Sequence, residues 1–341
     1  MKKNFLMLAI AFLTALAANA ELSQSIVATL THGATVTTYT GGNALKEAHT
    51  AAVDGDAIVL SPGTFNAVNI TKAITLRGAG AAAISLPEMT IEAIGSTYIT
   101  GQMDINIAST NGSLNIEGCQ FEGNVSIKKA PVTNVFKCRF ASISYILSQV
   151  AEINFTHCSL VFSSQTSDVC QKLNMLNCYA RYTYFNPYTK ATNCVLESSN
   201  YIAWSYFSDL QADGLLRNCI IYYTNSSSTV YSHSANMVAY NCVAIGSSTS
   251  RLSGFFNNSS NGTNKIAVIS DVLSTTTWPY TLTETAATTY LGNDGTQVGI
   301  HGGILPFDPI PDNLLVTSCN IASKTTADGK LSVEIKVSTA K

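Results

Sequence analysis

Asp209 and Asp213, in the stretch SYFSDLQADGLL, come nearest in this sequence to a catalytic pair. Two carboxylates held at a suitable separation can divide the roles of general acid and general base, because different surroundings push their proton affinities apart. Asp168 is a third candidate. No motif surrounds the three, and aspartates in connections between strands are usually solvated turn residues, so no catalytic residue is assigned. His233 and His301 have no Ser or Cys nearby in a nucleophile motif. The glycine clusters do not open helices after strands, so the sequence carries no phosphate-binding pattern.

The aromatic residues point to different chemistry. YARYTYFNPY, NYIAWSYF and IIYYTNSSSTVYSH set many tyrosines and a tryptophan among Ser, Thr and Asn. Rigid amphipathic rings stack on sugar faces while polar neighbours hydrogen-bond the hydroxyls. Tyr182, Tyr184, Trp204, Tyr206 and Tyr231 are therefore the candidate ligand-binding residues, with a polysaccharide or glycan surface as partner. The competing reading divides these rings between the interior and scattered surface positions, which need no function.

The nine cysteines are the third reactive set. Seven of them, Cys119, Cys138, Cys158, Cys178, Cys194, Cys219 and Cys242, recur at intervals of 19, 20, 20, 16, 25 and 23 residues. No C-x-x-C pair occurs, and stacked thiols do not form a tetrahedral cluster, so neither a metal site nor a cofactor is expected. Parallel in-register neighbours keep their Cβ atoms ~4.8 Å apart, where a disulfide wants ~3.8 Å. The column reads as buried, inert thiols. Cys170 and Cys319 lie off it, and nothing in the sequence explains them.

The elements that hold these residues follow from the columns around each cysteine. Three residues before it stand Ile116, Val135, Phe155, Met175, Ala191, Leu216 and Ala239; two after it, Phe121, Phe140, Leu160, Ala180, Leu196, Ile221 and Ala244. Same-face residues of a strand are an even number of positions apart, so the odd step from the first column to the cysteine requires a bend. The residue just before the cysteine is Gly118, Lys137, His157, Asn177, Asn193, Asn218 or Asn241. Asn and Gly tolerate the left-handed backbone of a tight corner. Asn115, Asn134, Asn154 and Asn174 make a further column. KIAVISDVLS continues the frame with Asp271 in the cysteine slot. Arg181 and Glu197, each three after a cysteine, point outward on neighbouring turns as a surface ion pair.

Strand, corner, strand and a variable return, repeated, build an all-β parallel solenoid. AITLRGAG and STYITGQMDI are earlier turns without cysteine, for about ten turns and a rod on the order of 45–50 Å. In GGNALKEAHTAAVDGDAIVLSPGTF, Asn43 caps a short helix that faces Leu45, Ala48 and Ala52 inward, and a strand Ala57 to Leu60 follows. LLVTSCNI and KLSVEIKV, joined through Asp328-Gly329, read as a hairpin closing the far end.

Charge is sparse, 12% of residues with a net charge of −2, and lacks the basic stripe that phosphate neutralisation needs, so nucleic acid is not an expected partner. Lys2 and Lys3, an apolar run from Phe5 to Leu16 and Ala18-Asn19-Ala20 form a signal peptide over residues 1–20. No later apolar run reaches the ~20 residues of a membrane span. The chain is expected to be exported, to the periplasm, cell surface or medium. It then divides into a solenoid domain with its N-terminal cap, 21–303, and a capping hairpin segment, 304–341.

The helix followed by DGDAIVLSPGTF, the ITLRGAG turn and the Asn-rich corners resemble the right-handed parallel β-helix, or pectin-lyase-like, superfamily. VGIHGGILPF followed by a hairpin is similar to the ends of uncharacterised secreted bacterial β-helix proteins. The resemblance implies a right-handed solenoid. It leaves open lyases that pair Arg or Lys with calcium-binding acids, hydrolases with clustered Asp, adhesins and passenger domains, because fold does not fix chemistry. The preferred expectation is a non-catalytic glycan-binding envelope protein. The alternatives are a polysaccharide lyase or glycoside hydrolase, and an adhesive rod that binds another protein.

Overall fold

A computed structural model describes residues 26–80, 96–163, 172–181, 189–198, 215–224, 238–252, 255–256, 263–276, 280–307, 314–325 and 331–339. The chain is a parallel β-solenoid of about seven turns. One long sheet runs from Ala57–Leu60 through Ser113–Glu117, Val132–Phe136, Ile153–Thr156 and Leu173–Leu176 to Val238–Tyr240. The other runs from Gly63–Asn66 through Cys119–Ala130, Arg139–Val150, Tyr179–Arg181, Val195–Ser198 and Ile220–Tyr223 to Lys265–Val268.

The seven corners that precede the column cysteines are left-handed. Gly118, Lys137, His157, Asn177, Asn193, Asn218 and Asn241 have φ of 62°, 49°, 53°, 48°, 51°, 55° and 51°. Glycine and asparagine adopt this region most readily, which explains why they fill five of the seven corners. After each bend the cysteine turns inward. All seven column thiols are free and buried, beside the buried columns that contain Phe155 and Phe140.

The corner also explains why the slot favours a thiol. Each column Sγ lies 3.2–3.4 Å from the carbonyl two residues earlier, as Cys158 does from Thr156. Five also lie 3.4–3.8 Å from a carbonyl of the preceding turn, as Cys178 does from Phe155. A small apolar side chain with one weak donor fills the interior and still meets strand carbonyls, such as that of Thr156, which also accepts the Lys137 N–H of the preceding turn. Burial pushes five of these thiols up, Cys119 to about 12 and Cys138, Cys178, Cys194 and Cys242 well above the ordinary range. On the outer face the asparagine column forms an amide ladder, Asn134 donating to Asn115, Asn154 to Asn134 and Asn174 to Asn154 at 2.9, 3.0 and 2.7 Å.

The frame ends differently from the expectation. Asp271 does not occupy the cysteine slot; it lies in a short helix, Ile269–Val272. Lys265 pairs with Val243, which puts Asn264 opposite Cys242. Asn264 follows Cys242 by 22 residues, within the 16–25-residue spacing of the column, and was missed because an amide stands where the earlier turns have a thiol.

At the N-terminal end β1, Val27–His32, and β2, Thr35–Thr40, form a hairpin whose β1 pairs antiparallel with β3, Ala57–Leu60. Helix α1, Ala44–Ala51, buries Leu45 and Ala48, with Ala52 following, as the apolar spacing requires. Asn43 precedes it but makes no side-chain cap; its Oδ1 instead accepts the Asn66 amide at 2.9 Å. Leu314–Thr325 and Leu331–Thr339 pair antiparallel as a separate two-stranded sheet. Among the described residues no helix is long and apolar enough to cross a membrane.

Candidate functional site

Asp168, Asp209 and Asp213, together with Tyr182, Tyr184, Trp204, Tyr206 and Tyr231, lie outside the described residues, as does Cys170. Their attachment points are described. The connections 182–188, 199–214 and 225–237 follow the strands that end at Arg181, Ser198 and, one residue beyond its strand, Thr224. In register, Arg181 pairs with Glu197 and Ser198 with Tyr223, so these departure points stack on successive turns. The chain re-enters the first sheet in order too, Lys190 beside Leu215 and Leu215 beside Val238. The connections that carry the candidate aromatics thus start and finish on one side of the solenoid. Tyr223 belongs to the interior instead, 3% exposed.

Beside those departure points the outer face of the second sheet carries a polar cluster. Arg181 and Glu197 form the expected ion pair, Nε to Oε1 at 3.2 Å. It is not a surface pair, however. Arg181 is 44% exposed, but Glu197 is 8% exposed. Tyr179 and Tyr280 cover it and donate their hydroxyls to Glu197 Oε2 at 2.5 and 2.7 Å. The two rings stack at 5.1 Å, and Tyr222 meets Tyr280 edge-on at 6.0 Å. Burial, then the neighbouring Tyr280 and the Glu197 charge, push the Tyr179 hydroxyl far above its ordinary range. Burial and Glu197 push Tyr280 and Tyr222 in the same direction. Held protonated, Tyr179 and Tyr280 serve Glu197 as hydrogen-bond donors and not as bases. The cluster therefore acts as a latch: a buried carboxylate is stable only when it is paired and hydrogen-bonded.

The partner that closes the latch comes from the far end of the chain. Residues 269–276 and 280–307 fold back along the outside of the second sheet and bury a second apolar cluster: Val195, Ile220, Val243 and Ile245 of the sheet against Leu273, Leu282, Val298 and Ile300. The same segment then runs over the corners. Asn218 donates to Asn293 at 3.0 Å, Asn177 to the Ile300 and Gly302 carbonyls at 3.0 and 2.8 Å, and His157 Nε2 meets the Leu305 carbonyl at 3.1 Å. Asn177 and Asn218 thus have two tasks, a left-handed bend and anchorage of this strap. His157 takes the same place as those asparagines in the strap contact, its ring between Phe136 and Phe307 at centroid distances of 5.6 and 5.9 Å.

One sequence signal for this second layer was available. In the position after the cysteine, Gln120, Arg139 and Ser159 give way to Tyr179, Val195, Ile220 and Val243. An outward column that turns apolar halfway along requires a cover. Among the described residues no group of three or more His, Cys, Asp or Glu converges in a metal-holding arrangement. No family model, curated protein or solved structure matches the chain.

Proposed function

We propose that the protein is an exported, non-catalytic, right-handed β-solenoid of the pectin-lyase-like type that binds a glycan at the cell envelope. In this reading α1 and the C-terminal hairpin cap the two ends, and the connections 182–188, 199–214 and 225–237 carry the binding rings. The observation that supports it is the stacking of the departure points Arg181, Ser198 and Tyr223 on successive turns. Adjacent turns are ~4.8 Å apart, close enough for rings on neighbouring connections to follow successive sugars of one chain. Several modest stacking contacts, each worth on the order of 1 kcal/mol, suit a repetitive polymer better than one deep pocket.

A panel of polysaccharides, scored for both binding and cleavage, tests the reading. Binding without cleavage is expected, and calorimetry on a bound polymer should show several-fold weaker affinity for Trp204→Ala and for Tyr206→Ala with the fold intact. Unchanged affinity in both removes the aromatic strip. Turnover that is lost in Asp209→Asn while binding persists replaces this reading with a polysaccharide-cleaving enzyme.

A further inference from the structure

We infer that the N-terminal end of the solenoid is a self-association surface, through which two copies pair their β2 strands antiparallel about a twofold axis at Thr38. This inference is independent of the glycan reading.

The β2 strand pairs with β1 over six residues without a bulge, and it is the terminal strand of its sheet. Among the described residues nothing pairs with its other edge. An open edge offers a row of unpaired N–H and C=O groups, which proteins normally blunt with Lys, Pro, a bulge or an inward charge. β2 reads Thr-Val-Thr-Thr-Tyr-Thr and has none of these devices. Its composition is β-branched and aromatic, the residue types best suited to a sheet.

The face beside the edge tells the same story. Register puts Val36, Thr38 and Thr40 of β2 on the outer face with Thr29 and Thr31 of β1 and Val59 of β3. Val36 is 62% exposed and Val59 46% exposed, and none of these six residues is charged. A twofold axis brings like residues together, so any charge on the strand would repel its own copy; a neutral strand is self-complementary in this respect. The occupant that fits is therefore a second copy of this chain. An acidic or basic partner would find no counter-charge on the strand.

Sedimentation equilibrium of the purified protein over a wide concentration range tests the inference. The wild type should pass from monomer to dimer with concentration. Thr38→Lys and Thr38→Glu, at an exposed position, should each sediment as monomer with an unchanged melting temperature. Mixing the two variants should restore the dimer, since opposite charges then face each other across the axis. A wild type monomeric at every concentration overturns the inference. So does a dimer that survives Thr38→Lys, or association that continues into open chains, because twofold pairing closes at two.

Discussion

Asn264 hydrogen-bonds the turn before it through the same two groups that a column thiol uses. Its Oδ1 accepts the Cys242 N–H at 3.0 Å and its amide donates to the Ala239 carbonyl at 2.7 Å. Earlier in the column, Cys138 Sγ accepts the Cys119 N–H at 3.5 Å and lies 3.8 Å from the Ile116 carbonyl. The slot thus faces a backbone donor, the N–H of the cysteine one turn earlier, and a backbone acceptor, the carbonyl three residues before that cysteine. A thiol answers both weakly and keeps the interior apolar; an amide answers both strongly at the last turn.

Asn264→Ala should therefore cost about 1–3 kcal/mol, the penalty for leaving buried backbone groups unsatisfied. Asn264→Asp keeps the acceptor for Cys242 but faces the Ala239 carbonyl with a second acceptor, so it should cost at least as much at neutral pH. Chemical denaturation of both variants measures this. Wild-type stability in Asn264→Ala would show that the slot carries no hydrogen-bonding demand.

The latch gives a second expectation. Tyr280→Phe removes one of the two phenol donors to Glu197 and keeps the stacked ring, so a loss of roughly 1–3 kcal/mol is expected. Tyr179→Phe and Tyr280→Phe share one acceptor oxygen, and a double-mutant cycle should give a coupling of about 0.5 kcal/mol or more. Strict additivity would mean that the two hydroxyls do not act on the same carboxylate.

These two sites mark where the sequence was legible. The corners, the cysteine column, the inward Phe140 and Phe155 and the asparagine ladder follow from residue order, because each turn repeats the same local demand on backbone and interior. Helix α1 and strand β3 were legible for the same local reasons. Tyr280 was not, since its partner Glu197 lies 83 residues earlier and no local pattern links them. The β1–β2 hairpin left only a weak alternation of Thr with apolar residues, because β2 has little to bury. Asp271 was misplaced because the slot at the last turn holds Asn264 and not the cysteine that marks the earlier turns.

Stability should fall on both sides of neutrality, for separate reasons. Burial raises the folded-state proton affinity of Cys119, to about 12, and of Cys138, Cys178, Cys194 and Cys242. Their contribution is therefore complete below the unfolded thiol range near 9 and is lost as pH rises toward the folded value. Each thiol that ionises only in the unfolded chain removes roughly 1.4 kcal/mol per pH unit in that window. On the acid side, burial and then Lys72 lower His49 to about 4. Its contribution is present above the ordinary histidine value and fades as pH falls toward 4. The melting temperature should be level from about pH 7 to 8 and drop steeply above about pH 9, with a shallower drop in Cys119→Ala. Equal melting temperatures at about pH 8 and 10 would contradict buried neutral thiols.

The strap should be sensitive at Gly303 and tolerant at Gly295. Both have positive φ, 85° and 77°, so alanine is strained at either position. They differ in what surrounds them. A Cβ on Gly303 would lie 2.2 Å from Asn193 Nδ2, while one on Gly295 would meet nothing within 4 Å. Gly295→Ala therefore measures backbone strain alone, about 1 kcal/mol. Gly303→Ala adds a clash at a corner, and relieving it requires lifting the strap from Asn193 or moving that side chain. The strap also covers Val195 and Ile220, so lifting it exposes apolar surface at roughly 25 cal/mol per Å². A loss for Gly303→Ala at least twice that for Gly295→Ala is expected in denaturant titrations. Hydrogen exchange should show where the loss falls: faster exchange at Gly299 and Phe307, whose amides bond to the Asn218 and Ile300 carbonyls, with little change at interior strands such as Phe155. Equal losses in the two variants, or faster exchange spread evenly through the solenoid, would mean that the strap is not a separate layer held on the corner column.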